Sequence, residues 1–156
     1  MIPQFRKYDS DKQKILLDDK YLFSYTYSDG FTERLLAVEF VIDFGYRCKI
    51  QVKAFNQQSF YKEFEVIPEP IFSYMEQLLN ADYNSLKPYY DYITIGIDDM
   101  GGSQLLINID AETIETGVLN GLPEVYFVTP IEKLLFVFNK YMKDFFEGIY
   151  KNEMLK

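Results

Sequence analysis

The stretch Thr129-Pro130-Ile131-Glu132 limits what this chain can fold into more than any other. A threonine followed three residues later by glutamate is a capping box. Proline stands at the first helical position, where its missing N–H leaves no bond unmade. Behind the cap, Ile131, Leu134, Leu135, Phe138, Met142, Phe145, Phe146 and Ile149 recur at helical spacing. A helix with so broad an apolar stripe must bury it, and the strand-like character of the chain before it makes a sheet the natural partner.

That sheet is legible from Leu22 onward. Leu22 to Tyr27 is rich in Tyr and Phe, and Asp29-Gly30 is a hairpin turn signal. Phe31 to Asp43 is a long β-branched and aromatic run closed by Phe44-Gly45. In the next strand Tyr46, Cys48, Ile50, Val52 and Ala54 face one way, and Arg47, Lys49, Gln51 and Lys53 the other. Such alternation predicts a half-solvated antiparallel strand. After the turn at Asn56 to Ser59, Phe60, Phe64 and Val66 continue as a fourth. Pro68 and Pro70 stop the sheet, and Ile71, Tyr74, Met75, Leu78 and Leu79 carry a helical pattern to Asn80.

A loop from Ala81 to Tyr90 leads to strand-like Tyr92 to Ile97, the corner DDMGGS, and strand-like Gln104 to Ile109. Glu124 to Val128 reads as a last short strand, and residues 1–20 as a loose arm or a short helix. The expectation is one α+β domain over residues 1–156. Its antiparallel sheet, an N-terminal meander plus a C-terminal hairpin, packs against two helices, one of them the long C-terminal helix.

The placement of charge narrows the function. The chain has 24 acidic and 16 basic residues, a net charge of −8. From Pro88 through Glu132 there is no Lys or Arg, yet the span holds Asp91, Asp98, Asp99, Asp110, Glu112, Glu115, Glu124 and Glu132. Outside it the two signs balance, so this one segment holds the whole net charge. Direct nucleic-acid binding is disfavoured, because phosphate contacts demand clustered cations. An acidic face instead attracts a basic protein and speeds its encounter, unless it serves only solubility.

Several chemistries lack their residues. Without histidine there is no Ser-His-Asp or Cys-His relay and no HExxH zinc motif. The single Cys48 reads as a buried thiol. No glycine-rich phosphate loop occurs. Asp98, Asp99 and Asp110 could hold a hard cation through oxygens, but their spacing does not match an EF-hand. A turn with acidic caps is the competing reading. The expectation is no enzyme, no cofactor and no metal. The absence of a secretory leader pattern or a long apolar run predicts a cytoplasmic protein with no membrane contact. Tyr83, Tyr89, Tyr90 and Tyr92 crowd the approach to the acidic segment. They suit either an interface or plain packing of that loop.

The run ITIGIDDMGGSQLLINID, from Ile93 to Asp110, resembles the C-terminal half of domains of the SUKH superfamily. Phe127-Val128-Thr129 then leads into a final helix, whose end, Lys143 to Ile149, is similar to the family's F-x-x-F-like spacing. The resemblance spans Tyr90 to Tyr150. Many bacterial members of that family look like immunity proteins that bind toxins, often nucleases, and the resemblance implies the same role here.

Two functions compete. An immunity or antitoxin-like protein would pair its carboxylates with the cations of a basic, nuclease-type toxin. Asp98, Asp99, Asp110, Glu112 and Glu115 are the favoured contacts, with Tyr89 and Tyr90 as apolar anchors. A small acidic secretion chaperone would instead hold an effector segment as a homodimer. The partner is a protein in both cases, and the chain itself is a monomer or a homodimer.

Overall fold

In the computed structural model, which describes residues 2–91 and 101–155, residues 2–20 form neither a loose arm nor a helix. Strand β1 (Arg6–Asp9) pairs antiparallel with β2 (Lys14–Leu17), placing Arg6 opposite Leu17 and Tyr8 opposite Ile15. The Asp9 carboxylate turns the chain by accepting the Asp11 and Lys12 amides at 3.0 and 3.3 Å. This hairpin lies on the outer face of a seven-stranded sheet.

The meander follows as expected: β3 (Tyr21–Ser28), β4 (Ala37–Asp43), β5 (Cys48–Lys53) and β6 (Phe60–Phe64), each antiparallel to its neighbour. Helix α1 (Glu69–Leu79) then buries Ile71, Met75 and Leu78. The two-residue strand β7 (Tyr89–Tyr90) precedes β8 (Gly102–Ile109) and β9 (Glu112–Leu119). The spatial order is β6-β5-β4-β3-β8-β9-β7, and only β7 runs parallel to its neighbour.

The C-terminal hairpin differs from the one expected. Tyr92 to Met100, the first expected strand and most of its corner, lies outside the described residues. Strand β8 instead pairs with β9 through a turn at Asp110-Ala111, both at positive φ (51° and 65°). Glu124 to Val128 is not a strand. Glu124–Tyr126 is a single 3₁₀ turn, followed by extended residues entering the last helix.

Helix α2 (Pro130–Ile149) begins with the expected reciprocal cap: Thr129 Oγ1 accepts the Glu132 amide at 3.3 Å, and Glu132 Oε1 accepts the Thr129 amide at 3.0 Å. It buries Ile131, Leu135, Phe138, Met142 and Phe146 against the inner face of the sheet. The Phe138 ring meets Phe23, Tyr25 and Tyr74 with centroids 5.5–5.9 Å apart. Past Ile149 the helix widens into one π turn, Tyr150–Met154. No helix among the described residues is long and apolar enough to cross a membrane.

The outer face has its own smaller apolar layer. Ile2, Phe5 and Leu17 pack on Tyr21, Val41 and Leu106, so β3, β4 and β8 are covered on both sides. That cover explains why Gln51, an expected solvent-facing residue, is buried. Its Oε1 lies 3.4 Å from the Ile2 amide.

Candidate partner-binding surface

The acidic segment builds one end of the sheet, β7, β8 and β9 with their connections. Its described carboxylates do not form one patch. Asp110 and Glu112 are exposed at the β8–β9 turn, where Lys12, Lys14 and Asp19 share the same 470 Å³ cleft. The acid there is interleaved with base. Glu115 is half-buried, and its Oε2 accepts the Ile15 amide at 3.2 Å, which ties it to the N-terminal hairpin. Asp98 and Asp99 lie outside the described residues.

Tyr90 does not stand at the surface as an anchor. It is 3% exposed, stacked on Phe127 at 5.1 Å, and its hydroxyl donates to Glu132 Oε2 at 2.6 Å. Burial raises its pKa to about 12, and the anionic Glu132 partner adds to the rise. Burial alone would raise the Glu132 carboxyl, but bonds from Tyr90, Thr129 and Val128 outweigh it and hold the group below its ordinary value. Tyr89 takes the other face: 49% exposed, its ring lies across Gly117, where a Cβ would come within 2.6 Å of Cδ2. A glycine is required at that position for the ring to lie flat on the strand.

Two further acids of the segment face solvent. Asp91 follows Tyr90, and Glu124 opens the turn leading to Phe127; both are exposed. The Tyr90–Phe127 stack joins the short segments from which they extend. The Asp110–Glu112 turn lies at the opposite end of β9, about 17 Å away along the strand. Asp91 and Glu124 count toward the acid of the segment but were not among the expected contacts.

The corner that suggested a hairpin is anchored at its far end. Gly101 has φ +67°, and a Cβ there would collide with the Ser28 carbonyl and the Gly30 amide. Its carbonyl accepts the Asn120 amide at 3.2 Å, while Asn120 Nδ2 donates to the Ser28 carbonyl at 2.9 Å. The glycine thus seats the chain on the β3–β4 connection.

That connection holds the strongest electrostatic cluster. Arg34 makes a two-pronged contact with Asp29, Nε to Oδ2 at 2.6 Å and Nη2 to Oδ1 at 3.0 Å. Its Nη1 reaches Glu147 Oε2 at 2.8 Å, Nη2 also bonds Glu147, and its guanidinium lies over the Tyr150 ring at 5.0 Å. Arg34 holds the Glu147 carboxyl below its ordinary range. Asp29 is also held low: burial pushes it up, but Arg34, Thr32, the Leu36 amide and Tyr27 prevail. The cluster pins a loop to the end of α2, and each of these partners is internal.

Cys48 is buried, and desolvation pushes its thiol up to about 12, so it is no nucleophile at neutral pH. Among the described residues no group of three or more Cys, Asp or Glu could hold a metal ion. In comparison with known proteins, neither a family model nor a curated protein matches this chain.

Proposed function

We propose that this protein is an immunity or antitoxin-like binding protein that neutralises a basic, nuclease-type toxin by capping its cationic surface. The observation that carries the reading is the concentration of the entire net charge in residues 88–132, which contain no Lys or Arg. Its solvent-facing carboxylates Asp91 and Glu124 supply the charge in this reading, and the half-exposed Tyr89 ring supplies apolar area. The resemblance of Ile93 to Asp110 to the SUKH superfamily points the same way. Rim carboxylates of this kind mainly accelerate association.

The test is calorimetric titration against the product of the adjoining reading frame. A one-to-one complex that weakens with salt, and a loss of about ten-fold for Asp91→Lys with Glu124→Lys, is expected. Unchanged affinity and salt dependence in that variant sinks the interface. The chaperone reading draws on a different feature: Phe31 and Phe55, 80% and 66% exposed, on loops joined by the Phe55 amide and the Arg34 carbonyl at 2.6 Å. A stable homodimer co-purifying with an extended effector segment would favour it.

A further inference from the structure

Among the described residues the outer face of the sheet is covered only in part. Beyond the N-terminal hairpin lies an open groove of about 750 Å³. Its floor is the outer side of β4, β3 and β8: Glu39, Thr26 and Gln104 in one row, Ala37, Ser28 and Gly102 in the next. Apart from Glu39 and Gln104 these are short side chains, so the floor is shallow. One wall is β1.

The bonding of β2 fixes which way β1 faces. The Ile15 and Leu17 amides point at Glu115 Oε2 and Thr113 Oγ1, each at 3.2 Å, and so away from β1. In an antiparallel ladder the opposed residues then turn their own N–H and C=O outward too. Those residues are Tyr8 and Arg6. Strand β1 therefore presents an edge with no strand on it among the described residues, on the side where Arg6, Lys7 and Tyr8 line the groove. The Arg6 carbonyl there accepts the exposed Gln4 Nε2 at 3.2 Å, a side-chain bond that an added strand would replace.

The groove also differs in charge from the molecule that carries it. Arg6, Lys7 and Lys53 line it against the single carboxylate of Glu39, in a chain of net charge −8. Arg6 is held in place by Thr26 Oγ1 at 3.2 Å and Gln104 Oε1 at 2.9 Å, two neutral oxygens. Among the described residues no carboxylate pairs with it. A guanidinium fixed by neutral acceptors is pre-oriented for an anion.

We propose that this groove takes an extended, acidic peptide segment of a partner protein, which adds as a strand to the open edge of β1. Main-chain bonds to Arg6 and Tyr8 give affinity, and the cations select carboxylates at alternate positions. Tyr89 lines one end of this groove and so borders the surface proposed for a toxin. The contacts used here, on β1 and Lys53, are different residues, and the proposal stands whether or not Asp91 and Glu124 bind a toxin.

The test selects a phage-displayed library of short random peptides on the full chain and measures the winners by fluorescence anisotropy. Enrichment of Asp and Glu is expected, with a loss of about ten-fold on Lys7→Glu with Lys53→Glu. The decisive pair is Tyr8→Ala and Tyr8→Pro. Proline removes an outward N–H without touching the β1–β2 ladder, so it must weaken binding beyond the alanine variant. Circular dichroism checks that both remain folded, and hydrogen exchange on the wild type reads protection of the Arg6 and Tyr8 amides by bound peptide. Failure to select any peptide, enrichment of basic ones, equal binding by the two Tyr8 variants, or full displacement by inorganic phosphate each overturns the proposal.

Discussion

Glu132 Oε1 accepts the Val128 and Thr129 amides at 3.2 and 3.0 Å, while Oε2 accepts the Tyr90 hydroxyl. One carboxylate thus closes the cap of α2 and satisfies a ring buried under the β7 edge. Glu132→Ala is expected to cost about 2–4 kcal/mol, because it removes a cap and strands a buried hydroxyl together. Glu132→Gln, which keeps the reach but not the charge, should cost less; urea titration of the two variants compares them, and equal losses would show that the charge carries the whole contribution and the neutral bonds none. Half of this arrangement was legible, since the cap is written in four consecutive residues. The bond to Tyr90 was not, because it joins positions 42 apart, and the same tyrosine was equally plausible as a surface anchor. Ser24 is the opposite case: 1% exposed, with a hydroxyl that finds no hydrogen-bond partner among the described residues. Ser24→Ala should therefore stabilise by about 1 kcal/mol, read as a higher urea midpoint at unchanged slope. A lower midpoint would mean that the hydroxyl is satisfied after all.

The N-terminal hairpin is held by side chains of distant strands more than by an apolar core of its own. Asn108 Nδ2 lies 2.9–3.2 Å from the carbonyls of Leu17, Asp18 and Tyr21, and its Oδ1 accepts the Thr113 hydroxyl at 2.7 Å. Thr113 in turn receives the Leu17 amide on Oγ1 and the Lys14 ammonium on its carbonyl. Asn108→Ala is expected to cost about 1–3 kcal/mol and to loosen this element first. Hydrogen exchange would show it: the Ile15 and Leu17 amides should speed up more than those of β4. A uniform increase across the sheet would mean that the hairpin opens only with the whole fold. Dependence on remote partners is why the hairpin could not be read from residues 1–20, whose apolar positions Ile15, Leu16 and Leu17 do not alternate. Strand β9 was hidden for another reason. Its turn uses Ala111 at φ 65° where a glycine would have announced a hairpin. The meander and α2 could be read because their turns and caps are local, spelled by Asp29-Gly30, Phe44-Gly45 and Thr129 to Glu132.

At the scale of the molecule, two electrostatic effects oppose each other as pH falls. Asp29, Glu132 and Glu147 all have pKa values below their ordinary 3.8 to 4.5 in the folded chain. A group lowered on folding stabilises above its unfolded value and loses that contribution as pH falls through the folded one. The net charge of −8 acts the other way, since protonating carboxylates down to the isoelectric point near 4.6 relieves self-repulsion. Stability should therefore hold level or rise from pH 7 to about 5 and fall steeply below about 4. Arg34 sets much of that acid limb, because it is the cation that Asp29 and Glu147 share. Replacing it with methionine keeps the stem over Tyr150 and leaves two carboxylates facing each other without a counter-charge. Arg34→Met is expected to cost about 2–4 kcal/mol at pH 7, reduced from a fully buried value because the guanidinium is partly solvated. Without Arg34 both carboxyls titrate higher in the folded chain, so the variant should lose less on acidification, and its curve should approach that of the wild type by about pH 3. Thermal melts of the two proteins from pH 7 to pH 3 measure the convergence, and parallel curves would place the origin of the acid limb outside this cluster.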